Sequence, residues 1–161
     1  MSFLAWLGIT KNGESLQVGD VAPDVSAPDE EGRSVRLAGF YHDGLTLVYF
    51  YPKADTPGCT AQACSLRDGF AELSARGVRV IGVSADSPAA QFCFKEGHRL
   101  PFTLLADQEH AVARAFGVRL MLGMPNRQSF LIRNGRIVWR DLHASTREQA
   151  RDVLRFVELE R

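Results

Sequence analysis

The chain has 161 residues, 45% of them hydrophobic, which is enough for one domain with a substantial core and too few for two ordinary ones. Lys plus Arg and Asp plus Glu both number 19, so net charge recruits neither nucleic acid nor an anionic membrane, and the expected partner is a small molecule or another protein. Three cysteines are an odd count in a chain large enough to fold without disulfide staples, which excludes a secreted disulfide scaffold and points to a reducing, cytoplasmic setting.

Residues 1–15 read as an N-terminal segment. Its apolar run FLAWLGI has no Lys or Arg before it and is too short to cross a bilayer, so Phe3, Trp6 and Leu7 are expected to pack on the domain or stay loose. Residues 16–161 read as a single domain without repeat, low-complexity tract or linker. PDVSAPDEEGR predicts a turn before a strand at Ser34 to Leu37. LTLVYFY, from Leu45 to Tyr51, is a continuous apolar run suited to a strand covered on both faces, and Pro52 ends it. From Pro57 to Arg76 the period becomes helical, with Ala61, Leu66, Phe70 and Leu73 on the apolar side and Gly77 as the stop. VRVIGVS (Val78 to Ser84) predicts a second buried strand, completing a βαβ unit with a parallel pair.

Ser87-Pro88 opens a helix to about Glu96, a short strand follows around Phe102 to Leu105, and DQEHAVARAFG predicts a helix closed by Gly117. VRLMLGMPN reads as irregular. QSFLIR, Asn134-Gly135 and RIVWR then form the strongest hairpin signal in the chain. TREQARDVLRFVELE, from Thr146, predicts a closing amphipathic helix with Val153, Leu154, Phe156 and Val157 inward. The order suits an α/β, thioredoxin-like fold, a central mixed sheet flanked by helices.

The chemistry concentrates in TPGCTAQAC, Thr56 to Cys64. Residues five apart on an α-helix have Cα atoms about 8.5 Å apart. A disulfide needs less than about 7 Å. If Cys59 and Cys64 pair, the helix must therefore unwind locally, and a first turn held by few internal hydrogen bonds can open well below the cost of global unfolding. Cys59, in that first turn, lies at the positive end of the helix dipole, which favours an anionic sulfur. Cys64 lies deeper and loses that field. Asp55 opposes a thiolate, so a cation is expected nearby. Thr56 has two readings, an N-cap followed by Pro57 at the first helical position, or a hydroxyl aimed at the sulfur or at an incoming oxygen.

With VGDVAPDVSAPDEEG, YFYPKADTPGCTAQACSLRD, DQEHAVARAFGV and RQSFLIRNGRIV in view, the chain resembles the peroxiredoxins, specifically the bacterioferritin-comigratory or PrxQ subfamily, over about residues 16 to 161. Pro52, Thr56 and Cys59 fit the family's P-x-x-x-T-x-x-C signature. The resemblance implies a thiol peroxidase acting on hydrogen peroxide and organic hydroperoxides, with Cys59 as the peroxidatic cysteine. Thr56 and Arg127 match the polar partners of the peroxide, and Pro52 matches the residue that shields the thiolate. Arg127 also supplies the cation, its alternative being an ordinary solvated arginine. Cys64 matches the resolving cysteine on the same helix; Cys93, flanked by Phe92 and Phe94, is the alternative resolver or simply a small buried hydrophobe. Gln62 is read as structural, and Arg67 with Asp68 as a helix-surface pair. The resemblance further implies a monomer, no cofactor, and re-reduction by thioredoxin or a similar thiol protein.

Two rivals remain. A thioredoxin-like disulfide reductase lacks its C-x-x-C here. A metal-binding module would need Cys59, Cys64 and one of His98, His110 or His143, without the organised second ligand pair of a structural zinc site. Surface positions are expected for these histidines and for His42. No glycine-rich phosphate loop calls for a nicotinamide or flavin.

Overall fold

The computed structural model describes residues 14–160, so the reading of Phe3, Trp6 and Leu7 falls outside it. In chain order the elements are β1 (Ser26–Pro28), β2 (Ser34–Arg36), a 3-10 turn (Leu37–Phe40), β3 (Leu45–Phe50), α1 (Pro57–Asp68), α2 (Phe70–Ala75) and β4 (Val78–Ser84). Then come α3 (Pro88–His98), β5 (Thr103–Ala106), α4 (Ala111–Ala115), β6 (Leu120–Met121), β7 (Met124–Pro125), β8 (Gln128–Arg133), β9 (Arg136–Asp141) and α5 (Gln149–Leu159). Five strands form one mixed sheet in the order β5-β4-β3-β8-β9. β3, β4 and β5 run parallel, and β8 returns antiparallel to β3 with Tyr49 opposite Ser129.

Every residue of the central strand β3 is buried, which is why its sequence does not alternate. Leu47, Tyr49 and Tyr51 project to one face, where they pack with Cys59, Ala63 and Leu66 of α1, Phe94 of α3 and Val153 and Val157 of α5. Val48 and Phe50 project to the other, onto Phe116, Phe130 and Ile132. The expected βαβ unit, the parallel pair and the Asn134-Gly135 hairpin are all present, the hairpin residues at φ +50° and +76° as a two-residue turn of that twist requires. The side chain of Ser87 caps α3 by accepting from the Ala90 N–H at 3.2 Å.

Several element ends shift by a few residues and β1 lies inside the PDVSAPDEEGR segment read as a turn, while three further differences stand out. The helix expected from Pro57 to Arg76 breaks at Gly69, where a Cβ would stand 2.8 Å from the Ala150 Cβ of α5; the close approach of that helix selects the glycine and ends α1. VRLMLGMPN is not irregular throughout but contains the two-residue strands β6 and β7, antiparallel about Leu122-Gly123. The last helix starts at Gln149 rather than Thr146, because the Ser145 hydroxyl accepts from the Glu148 N–H at 2.9 Å and holds the preceding residues in a bend. Among the described residues, no helix is long and apolar enough to cross a membrane.

Candidate active site

Cys59 is the third residue of α1 and only 1% exposed. Pro57 occupies the first helical turn, where its missing N–H removes no helix bond. Thr56 stands at the N-cap position with extended backbone, yet its hydroxyl does not cap the helix: it donates to the Lys53 carbonyl at 2.6 Å. The cap reading therefore holds for the backbone and fails for the side chain. The N–H groups at the start of α1 are thus not taken by Thr56, and the Thr56 oxygen, its proton committed, remains an acceptor beside the turn that carries Cys59.

The cation expected near Cys59 is Arg127, immediately before β8. Its Nη2 lies 3.4 Å from the Cys59 Sγ, and its Nη1 donates to Gln62 Oε1 at 2.7 Å. Gly58 makes this possible, since a Cβ there would come within 3.1 Å of Nη2. Arg127 also lines an open cleft of about 730 Å³ with Arg119, Asn126 and Arg140, so the residue meets solvent on one side and the buried sulfur on the other. Gln62 is fully buried and passes the chain inward: its Nε2 donates to Gln149 Oε1 at 3.0 Å, and the Ser129 hydroxyl donates to the same oxygen. Gln62, read from sequence as structural, is thus in direct contact with Arg127, and the sequence reading passed over Gln149 and Ser129 altogether.

The loop between β3 and α1 is fixed from outside. Half-buried Pro52 begins it, the Ala54 N–H donates to Asp86 Oδ2 at 2.8 Å, and Asp55 sits at φ +59° with its carboxylate 3.0 Å from His98 Nε2. Asp55, expected to oppose a thiolate, is engaged by the last turn of α3 instead. Arg67, read as half of a surface pair with Asp68, keeps that pairing and also donates to the His98 carbonyl at 2.8 Å, tying α1 to α3.

Beneath the sulfur lie Tyr49 and Tyr51. Burial pushes both phenols well above the ordinary tyrosine range, with Tyr51 and Cys59 adding to the rise at Tyr49, so both stay neutral. The Tyr51 hydroxyl donates to Gln91 Oε1 at 2.6 Å, whereas the Tyr49 hydroxyl is buried with no partner among the described residues.

Cys64 is partly buried on the same unbroken helix as Cys59, and Cys93 is exposed on α3, contrary to its reading as a buried hydrophobe; all three thiols are free. On intact α1 the Cα atoms of Cys59 and Cys64 are about 8.5 Å apart, beyond disulfide reach. The histidines do not converge on the sulfurs: His98 is bound to Asp55 and His110 Nε2 lies 2.8 Å from the Gly123 carbonyl. Among the described residues no group of three or more His, Cys, Asp or Glu side chains could hold a metal ion.

The site is thus a buried cysteine in the first turn of a helix, faced by an arginine that immediately precedes β8. The family model of the AhpC/TSA family matches residues 18–140. The chain belongs to the AhpC/TSA family. It is 52% identical over 103 residues to peroxiredoxin Bcp of Escherichia coli, a match covering 64% of this chain and 65% of that one, and 38% identical over 122 residues to the chloroplastic peroxiredoxin Q of Gentiana triflora, covering 74% and 56%. The chain thus spans about two thirds of the length of the first of these curated relatives and just over half of the second. The crystal structure of peroxidoxin BcpB from Mycobacterium tuberculosis superposes with a TM-score of 0.84 at 34% identity, covering 91% of this chain and 99% of that one. The resemblance to the Bcp and PrxQ peroxiredoxins is borne out, and the fold is thioredoxin-like, as the element order suggested.

Proposed function

We propose that this AhpC/TSA-family chain is a thiol peroxidase that reduces hydrogen peroxide and organic hydroperoxides. The observation that carries the reading is the Arg127 Nη2 at 3.4 Å from a buried Cys59 sulfur in the first turn of α1. The Cys59 thiolate attacks one peroxide oxygen; the S–O bond forms as the O–O bond breaks, and the departing oxygen takes a proton to leave as water or an alcohol. Cys59 becomes a sulfenic acid. A peroxide offers little surface to bind, so the rate must come from the anionic sulfur and from donors set for the charge on the leaving oxygen, which are Arg127 and the first-turn N–H groups. The Thr56 oxygen accepts the peroxide O–H, and Pro52 screens the site from water.

Cys64 then condenses with the sulfenic acid, releasing water and leaving a Cys59–Cys64 disulfide. Its place on the same helix supports it over Cys93, which would have to approach from an exposed position on α3. Thioredoxin or a similar dithiol protein restores both thiols by exchange, and the chain works as a cytoplasmic monomer without cofactor. The test compares peroxide consumption with insulin reduction, both driven by a thioredoxin system. Peroxide turnover with negligible insulin reduction is expected; the reverse would assign a disulfide reductase.

A further inference from the structure

Hydrogen-bond polarity fixes the direction of every group between Arg127 and α5. A guanidinium only donates, so the face of Gln62 toward Arg127 must be its carbonyl, and the 2.7 Å contact to Oε1 agrees. The Gln62 amide nitrogen is then turned inward and needs an acceptor. Gln149 Oε1 provides it at 3.0 Å while also accepting from Ser129. Reversing the Gln149 amide would set nitrogen against nitrogen, so its own Nε2 is left buried with no partner among the described residues. An apolar residue at 149 would remove that unpaired donor and continue the apolar stripe of Val153 and Val157 on α5, but would leave the Gln62 amide nitrogen and the Ser129 hydroxyl without their shared acceptor.

We propose that Gln149 is a positioning residue for Arg127, holding the Gln62 carbonyl toward the guanidinium so that Nη2 faces the Cys59 sulfur. The inference rests on the peroxidase reading, in which Arg127 acts at that sulfur. The oxygen of Gln149 lies outside α1, carried by α5 and held by the Ser129 hydroxyl of β8, whereas Gln62 rides on α1 and, in the proposed cycle, leaves with it when that helix unwinds. Gln149 is therefore the fixed mark to which Gln62, and through it Arg127, returns after each turnover.

The test is Gln149→Met, which keeps the volume and removes the acceptor. It should slow peroxide reduction about tenfold, the scale of a small misplacement of a charged group. It should also slow iodoacetamide alkylation of Cys59 in the reduced protein and diminish the ultraviolet thiolate absorbance. Gln149→Glu, which offers an acceptor oxygen whether or not it is ionised, should recover most of each loss. A purely structural role would lower the melting temperature without changing alkylation. If Gln149→Met does not fold, Ser129→Ala, which frees one of the two bonds holding the Gln149 oxygen, should move the same readouts in the same direction. Alkylation within about twofold of wild type in the folded variant, or no recovery in Gln149→Glu, would overturn the proposal. Alkylation needs no peroxide chemistry, so a wild-type protein inactive toward peroxide would sink the functional reading while leaving this one to stand or fall separately.

Discussion

Cys59→Ser is expected to lose at least about a thousandfold in peroxide turnover, the scale on which removal of a nucleophile abolishes covalent catalysis. A serine hydroxyl in the same place has no thiolate form and cannot accept a peroxide oxygen as a sulfenic acid does. The fold should survive, because the change is nearly isosteric and Arg127 Nη2, now 3.4 Å from the sulfur, remains as a donor to the buried hydroxyl. Circular dichroism and the melting curve separate loss of chemistry from loss of structure. Turnover by Cys59→Ser at the wild-type rate would remove the nucleophile from the account.

The second large effect belongs to Arg127. Arg127→Ala should lower the second-order rate with hydrogen peroxide by roughly 100- to 1,000-fold, as expected when a preset donor to developing charge is deleted. Arg127→Lys should recover only part of it. The guanidinium reaches Gln62 with one nitrogen and Cys59 with the other, a fork that a single ammonium cannot reproduce. The loss in Arg127→Ala should appear both in steady-state turnover and in a single stopped-flow reaction of the reduced protein, since it concerns the first step. A rate in Arg127→Ala within about threefold of wild type would reduce Arg127 to a solvated side chain.

Much of the fold and of the site was legible in the chain itself, and the exceptions share a cause. The β3-α1-β4 unit and the Asn134-Gly135 hairpin were readable because the signals are local: an apolar run, a change of period and a turn dipeptide. Cys59 was readable from its place in the first turn, and Arg127 from the segment that precedes QSFLI in the resembling family. The break at Gly69 was not, because its reason is a contact with Ala150 some 80 residues away along the chain. The Gln62–Gln149–Ser129 cluster escaped for the same reason, its members lying on α1, α5 and β8. A signal was nevertheless present. Gln62 falls three residues after Cys59 on the inward face of α1, and Gln149 falls on the apolar stripe with Val153 and Val157, so each is a polar residue at a core position that demands a partner. The Thr56 side chain could not be foretold, because capping α1 and bonding Lys53 are both open to the same local sequence.

In the proposed cycle the anchoring of α1 governs the step after oxidation. Ala63 and Leu66 bury its inner face, Arg67 binds the end of α3, and Arg127 and Gln149 hold it through Gln62. In the proposed cycle these contacts hold Cys59 beside Arg127 during the first step, yet none of them brings Cys64 within reach of it. Hydrogen exchange followed by mass spectrometry, on the reduced protein and on protein oxidised with one equivalent of peroxide, reads the unwinding directly. The expected result is slow exchange across residues 57–68 in the reduced form and rapid exchange there once Cys59 and Cys64 are linked, with β3 and β4 unchanged. Undiminished protection of residues 57–68 in protein carrying that bond, or a bond from Cys59 to Cys93 with Cys64 free, would contradict it.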